Sequence, residues 1–230
     1  VYFLHSTEIW QGFPELVPGV LYAEGLTADA AVGSRVARYS EIAEERLAAA
    51  PESELPEIQA WRRAFSRMGL KPTQYRCASE ALLRRFRKER NLPHIHPLID
   101  LCNSISMAFA IPVAVFDVAR ITAGVEVGYA VGTERFETLG GELEHPDPRE
   151  VIFADAAGRA HARRWTNRQS GHSAVRDGTA AALIVAEALH GSAPADVERL
   201  VTTLAGELSA VWPIAPTARV LSTSAPRFDF

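Results

Sequence analysis

The sequence predicts an α+β fold: a helical first half, a strand-rich middle and a helical C-terminus. Three observations carry this. Apolar residues recur at helical spacing from about residue 34 to 110. From Pro112 the pattern changes to short alternating or β-branched runs separated by Gly, Pro and Asp. Helices and strands also fall into blocks instead of alternating as βα units, which points to a largely antiparallel sheet flanked by helices. No repeat and no Gly/Ser linker divides the 230 residues, so the expectation is one domain over 1–230.

Taken in order, VLYAEGL (20–26) reads as a strand. SRVARYSEIAEERLAAA (34–50) spaces Val36, Ile42 and Leu47 among charges as a half-exposed helix does, and Pro51 ends it. ELPEIQAWRRAFSRMG (54–69) places Ile58, Trp61, Phe65 and Met68 on one face and stops at Gly69 and Pro72. Ser79 is the expected N-cap of EALLRRFRKER (80–90), with Leu82, Leu83 and Phe86 inward and the arginines outward. LIDLCNSISMAFA (98–110) follows Pro97 as a fourth helix. Within 112–165, VAVFD, VEVGYAV, EVIFAD and GRAHARRW read as strands. TAAALIVAEAL and VERLVTTLAGELSAV are expected as two C-terminal helices within 178–212, stopped by Pro213 and Pro216, and LSTSAPRFDF as an edge segment or a loose end.

Composition, 47% hydrophobic and 23% charged, is that of an ordinary soluble globular protein. The longest mostly apolar run, Ile105 to Phe116, is broken by Ser106 and Pro112 and falls short of the roughly 20 residues a membrane helix needs. VYFLHSTEIW lacks the features of a secretory signal. Cys77 and Cys102 are expected as reduced thiols in the cytoplasm.

Charge is unevenly spread. Residues 62–90 hold ten basic groups against two acidic ones, a local net of +8 in a chain whose total is −4. Arg76, Arg84, Arg85, Arg87 and Lys88 in this block are candidates for contacting a phosphate backbone. A solvated face of a helix pair is the other reading.

HPLIDLCNSISMAFAIPVAVFD (96–117) resembles the helix and following strand of the editing domain in the β subunit of phenylalanyl-tRNA synthetase, the B3/B4 domain. The matching positions are Asp100, Asn103, Pro112, Phe116 and Asp117. ETLGGELEHPDPREVIFAD (137–155) is similar to the family's Leu-x-Gly stretch and the strand after it. RRWTNRQSGHS, with YRCASEALLRRF upstream, is similar to freestanding versions of the domain. The likeness spans about residues 10 to 212. It implies a pocket that hydrolyses the ester between a wrong amino acid and tRNA, without cofactor or metal, acting in trans. The aromatic-editing domain has a histidine where this chain has Ala114, which shifts the expected substrate from a tyrosyl group toward a non-aromatic one; freestanding relatives include deacylases for tRNA carrying the arginine mimic canavanine. The implied partners are mischarged tRNA and a cognate synthetase, with no DNA and no membrane. A tRNA- or synthetase-binding module without hydrolysis is the alternative.

An aminoacyl ester is already activated, so its hydrolysis needs a placed water and donors for the carbonyl oxygen. Gly140 and Gly141 can bring backbone N–H groups against an oxyanion, or can simply form a turn; Glu142 follows them. Asn103, an amide in an apolar helix, either holds the substrate's amino group or a water, or caps neighbouring backbone. Asp100, three residues earlier on nearly the same face, either binds the α-ammonium or pairs with an arginine. Trp165 can wall the pocket, Asn167, Gln169 and Ser170 can read a polar side chain or position water, and Arg168 can reach a phosphate or ribose; core, cap and surface roles are their alternatives. His172 is a candidate base. His94 and His96 with Asp100 have weak metal-ligand character, and Cys102 has no environment that would make it a nucleophile.

Overall fold

The computed structural model describes residues 1–230. Along the chain run β1 (Tyr2–His5), α1 (Thr7–Gly12), β2 (Val17–Glu24), α2 (Gly33–Ala49), α3 (Pro56–Arg67), α4 (Ala78–Glu89), α5 (Pro97–Phe109), β3 (Val113–Asp117), β4 (Gly124–Tyr129), β5 (Phe136–Glu137), β6 (Leu143–Glu144), β7 (Val151–Asp155), β8 (Ala160–Arg163), β9 (Arg168–Gln169), β10 (Ala181–Ala188), α6 (Ala193–Val211), β11 (Thr217–Val220) and β12 (Arg227–Asp229). No helix is long and apolar enough to cross a membrane.

The strands form a six-stranded sheet ordered β12-β1-β4-β7-β8-β9, a four-stranded sheet ordered β11-β2-β10-β3, and the small β5-β6 hairpin. Only the β1–β4 ladder is parallel. The two larger sheets face each other. Phe3, Val125, Val127 and Phe153 of the first meet Phe116, Leu183 and Val185 of the second in one core, which α3 extends with Trp61 and Phe65. On its other face the four-stranded sheet buries Leu21, Ala182, Ile184 and Ala186 against Leu101 and Ile105 of α5 and Leu200 and Leu204 of α6.

β10 is therefore covered on both sides, and this corrects one expectation. TAAALIVAEAL is a strand, paired antiparallel with β2 and with β3, and α6 is the one long C-terminal helix. A strand buried on both faces reads as an unbroken apolar run, so its period of two is invisible in the sequence. Each fully buried Leu, Ile or Val here contributes about 1.5–3 kcal/mol, so the whole run is held by burial and not by local propensity.

The four anterior helices lie where expected, within a few residues. Ser79 is not the cap of α4: Cys77 occupies that position without a side-chain capping bond, and the buried Ser79 hydroxyl donates to the Ala110 carbonyl at 3.0 Å, tying α4 to the end of α5. Leu82 is half-buried. β1 and α1 have no counterpart in the sequence reading; Ser6 caps α1 by accepting from the Ile9 N–H at 3.3 Å. The tail does supply an edge strand, β12, on β1.

Candidate functional site

Between the two sheets, near the end of β10, lies a narrow cleft of about 60 Å3. Pro112 to Ala114, Phe153, Ala162 and Val185 form its apolar walls, Ala78 of α4 stands on one side, and Trp165 to Gln169 close it. At its base is Glu187, a carboxylate that is 2% exposed. Its Oε1 accepts from the Trp165 indole N–H at 2.9 Å and lies 2.6 Å from Nε2 of the buried His5, and the Glu187 carbonyl receives the Trp61 indole at 3.3 Å. No protein donor reaches Oε2. The Thr166 hydroxyl, also on the cleft, is buried without a partner. A buried polar group is ordinarily satisfied by protein, water or ligand; Thr166 is the one such group whose residue lines this cleft.

The closing segment is strained. Arg164 and Trp165 have φ of 47° and 58°, a left-handed pair that costs non-glycine residues about 1–3 kcal/mol each. Glu150 holds the turn, accepting from the Arg164 N–H at 2.9 Å and from Arg163 at 2.9 and 2.8 Å. Burial alone would raise the Glu150 carboxyl, but hydrogen bonds from Arg163 prevail and hold it below its ordinary range. The Trp165 N–H donates to the Val151 carbonyl at 2.8 Å, and its ring meets Trp61 and Phe13 edge-on, with centroids 5.1 and 4.7 Å away. This packing offsets the backbone cost and aims the indole N–H at Glu187.

Of the residues predicted from sequence, Trp165, Asn167, Arg168 and Gln169 are brought together on this cleft. Asn167 donates to the Arg76 carbonyl at 2.8 Å, Gln169 to the Val115 carbonyl at 2.5 Å, and Arg168 pairs with Glu144 at 2.8 Å. Next along the chain, the Ser170 hydroxyl and the Gly171 N–H both donate to the Glu137 carbonyl, each at 2.9 Å. They lay the 170–172 loop against the hairpin turn that carries Gly140 and Gly141. The fit is tight: a Cβ on Gly171 would stand 2.5 Å from the Thr138 carbonyl oxygen. Within the turn the Gly141 N–H is spent on the Thr138 carbonyl at 3.0 Å, so of the two glycine amides only that of Gly140 is free for a ligand. Glu142 is exposed. His172 sits beside Glu137 at 4.0 Å; burial, then the nearby Arg159 and His161, push its pKa down.

Asp100 and Asn103 are elsewhere. They line a separate cavity of about 480 Å3 between α2, α5 and the loop 90–94, with Glu41, Glu44, Arg90 and His94 at its rim. Asp100 accepts from the Ile95 N–H at 2.9 Å and contacts His94, so it fixes the loop before α5. The cleft does not reach Asn103, and a single cavity joining Asn103 to the double glycine does not form. His96 is turned inward, its Nδ1 accepting from the Leu98 N–H at 3.2 Å. Burial pushes the Cys102 thiol up to about 12.

The basic block is largely neutralised by its own fold. Arg62 and Arg76 share the buried Glu80, Arg85 pairs with Glu89, Arg87 with the buried Glu52 and Arg90 with Glu44. Arg84 and Lys88 are exposed with no carboxylate in reach. Glu187 is the residue that sequence reasoning missed. Its one signal was a lone acid inside an apolar run, which on a helix would have meant a solvent-facing position.

The B3/4 domain family model matches residues 60–202, which hold every wall of the cleft and the neighbouring double-glycine turn. Among solved structures, an N-terminal fragment of the phenylalanyl-tRNA synthetase β-subunit from Pyrococcus horikoshii is similar over 93% of this chain and 49% of that one, with 11% identity and a TM-score of 0.48. The chain thus spans about half the length of that fragment. No protein of curated function matches it.

Proposed function

Because the chain belongs to the B3/4 domain family, we propose that it is a trans-acting aminoacyl-tRNA deacylase whose reacting ester is held at the cleft under Trp165 to Gln169. The carrying observation is the buried Glu187 carboxylate, with a free Oε2, beside the unpartnered Thr166 hydroxyl. Ester hydrolysis needs a held water and donors for the carbonyl oxygen, and recognition needs a host for the substrate's cationic groups. Glu187 suits an α-ammonium or a guanidino-like end, Thr166 a water, and Gln169 and Asn167 a polar side chain. The Gly140 N–H, which makes no backbone bond, is the donor this reading assigns to the carbonyl oxygen; its turn packs on the 170–172 loop and lies outside the lining of the cleft. Ala114 in the wall stands where the aromatic-editing domain has a histidine, and the loss of that group favours a non-aromatic polar residue such as canavanine on its tRNA.

Size favours the second reading, a tRNA- or synthetase-binding module. About 60 Å3 suits two waters at roughly 30 Å3 each, whereas ligand pockets start at roughly 300 Å3. A deacylase must therefore open the strained 164–169 turn to admit the aminoacyl group. Incubating the protein with a panel of misacylated tRNAs separates the two. Rapid release of one amino acid supports the enzyme, and tRNA binding with no release across the panel supports the module.

A further inference from the structure

Three arginines lie on or beside the turn that closes the cleft, and their environments differ. Arg163 is buried and bridged to Glu144 and Glu150 at 2.6 and 2.8 Å; Arg168 is bridged to Glu144 at 2.8 Å. Arg164 has no carboxylate in reach of its side chain. Its guanidinium instead lies over the Tyr75 ring, 5.0 Å from the centroid. Tyr75 belongs to the segment leading into α4, whose first residue, Ala78, lines the cleft. The bond from Asn167 to the Arg76 carbonyl clasps the two rim segments together. The left-handed backbone of Arg164 adds a second peculiarity, shared with Arg149, which lies over Tyr129 at 4.9 Å: each cation is held in an unfavourable conformation, on an aromatic ring and without a counter-charge, but only Arg164 stands on the turn that closes the cleft.

We propose that Tyr75 and Arg164 form a docking platform for the unpaired 3′-terminal nucleotide of the tRNA. The base stacks on the guanidinium plane that Tyr75 supports from behind, and the uncompensated charge faces the adjacent phosphate. Planar guanidinium and aromatic faces are the usual partners of splayed RNA bases, and a cation with no carboxylate loses nothing when it meets a phosphate. The platform deepens the deacylase reading, on which the identity of the esterified end rests, but stacking an RNA end does not itself require hydrolysis.

The test therefore uses uncharged RNA: a minihelix bearing the single-stranded 3′ end of tRNA and the same minihelix trimmed blunt, titrated against the protein and its Tyr75→Phe, Tyr75→Ala and Arg164→Lys variants. Stacking one base is expected to favour the overhang about five- to 100-fold. Tyr75→Phe should keep that preference; Tyr75→Ala and Arg164→Lys should lose it while binding the trimmed helix as the parent does, with unchanged circular dichroism. A parent that binds both minihelices equally, or an overhang preference that survives Arg164→Lys and Tyr75→Ala, overturns the platform. Failure of deacylation on charged tRNA would instead sink the enzyme reading and leave this result standing.

Discussion

Glu187 is a charged side chain at the inner end of an otherwise apolar strand, and its neighbours explain how it is tolerated. The Trp165 indole and His5 both reach Oε1. Glu187→Gln keeps an oxygen for Trp165 but disturbs the contact with His5 and removes the charge. We expect a folded protein destabilised by about 1–3 kcal/mol in urea denaturation, with deacylation lost. Unchanged hydrolysis would remove Glu187 from the site. Gly171 and Gly140 make a second contrast. An alanine at 171 meets backbone atoms at 2.5 Å (Thr138 oxygen) and 3.1 Å (Leu139 Cα), neither of which can rotate away; at 140 the nearest neighbour is the Thr138 hydroxyl at 3.6 Å. Gly171→Ala should cost about 1–3 kcal/mol and Gly140→Ala within about 0.5 kcal/mol, measured by the same urea titrations. Trp165, Asn167 and Gln169 were legible in the sequence because an aromatic beside amides and a guanidinium is conspicuous. Gly171 was not, since its constraint comes from a hairpin some thirty residues away.

At the level of elements, α2, α3 and α4 were legible because each shows one apolar face and one polar face, and α5, β3, β4, β7 and β8 because Pro, Gly and Asp bound their apolar runs; the two-residue strands β5 and β6 left no such signal. β10 was not, because two sheet neighbours and helices on one side leave it no polar face to display. α4 illustrates the opposite error, in which charge was legible but its partners were not. Arg87 answers Glu52, which is 3% exposed, whereas Arg84 answers nothing. Arg87→Glu should therefore destabilise by about 1–3 kcal/mol, because a buried carboxylate loses its partner and gains a like charge. Arg84→Glu should change stability by less than about 0.5 kcal/mol. Equal midpoints for the two variants would show that Glu52 does not depend on Arg87. The same reasoning narrows the candidates for phosphate contact on α4 to Arg84 and Lys88, since arginines already engaged must give up an ion pair to meet phosphate.

For the molecule as a whole, pH should act in two stages, and the sign of each follows from which state binds more protons. Asp155, the last residue of β7, accepts from the Thr122, Ala157 and Arg159 N–H groups at 3.0, 2.9 and 3.0 Å. Burial opposes its ionisation, yet these bonds and His161 prevail and hold its pKa well below the ordinary value. Its stabilisation is complete above the unfolded carboxylate value of roughly 4 and disappears as pH falls through the lower folded one. Histidines act earlier. Burial pushes His96 and His172 down, so as pH falls below the unfolded value of roughly 6.5 the unfolded chain takes up these protons first and stability drops. His96→Asn isolates that stage: an asparagine oxygen can replace Nδ1 as acceptor for the Leu98 N–H at the start of α5, and it does not titrate. Urea midpoints at pH 7.5 and 5.5 should fall for the parent and fall less for His96→Asn, the remainder belonging to His172. Parallel losses in the two proteins would mean that His96 is protonated as readily in the fold as out of it, in contradiction to its burial at the N-terminus of α5.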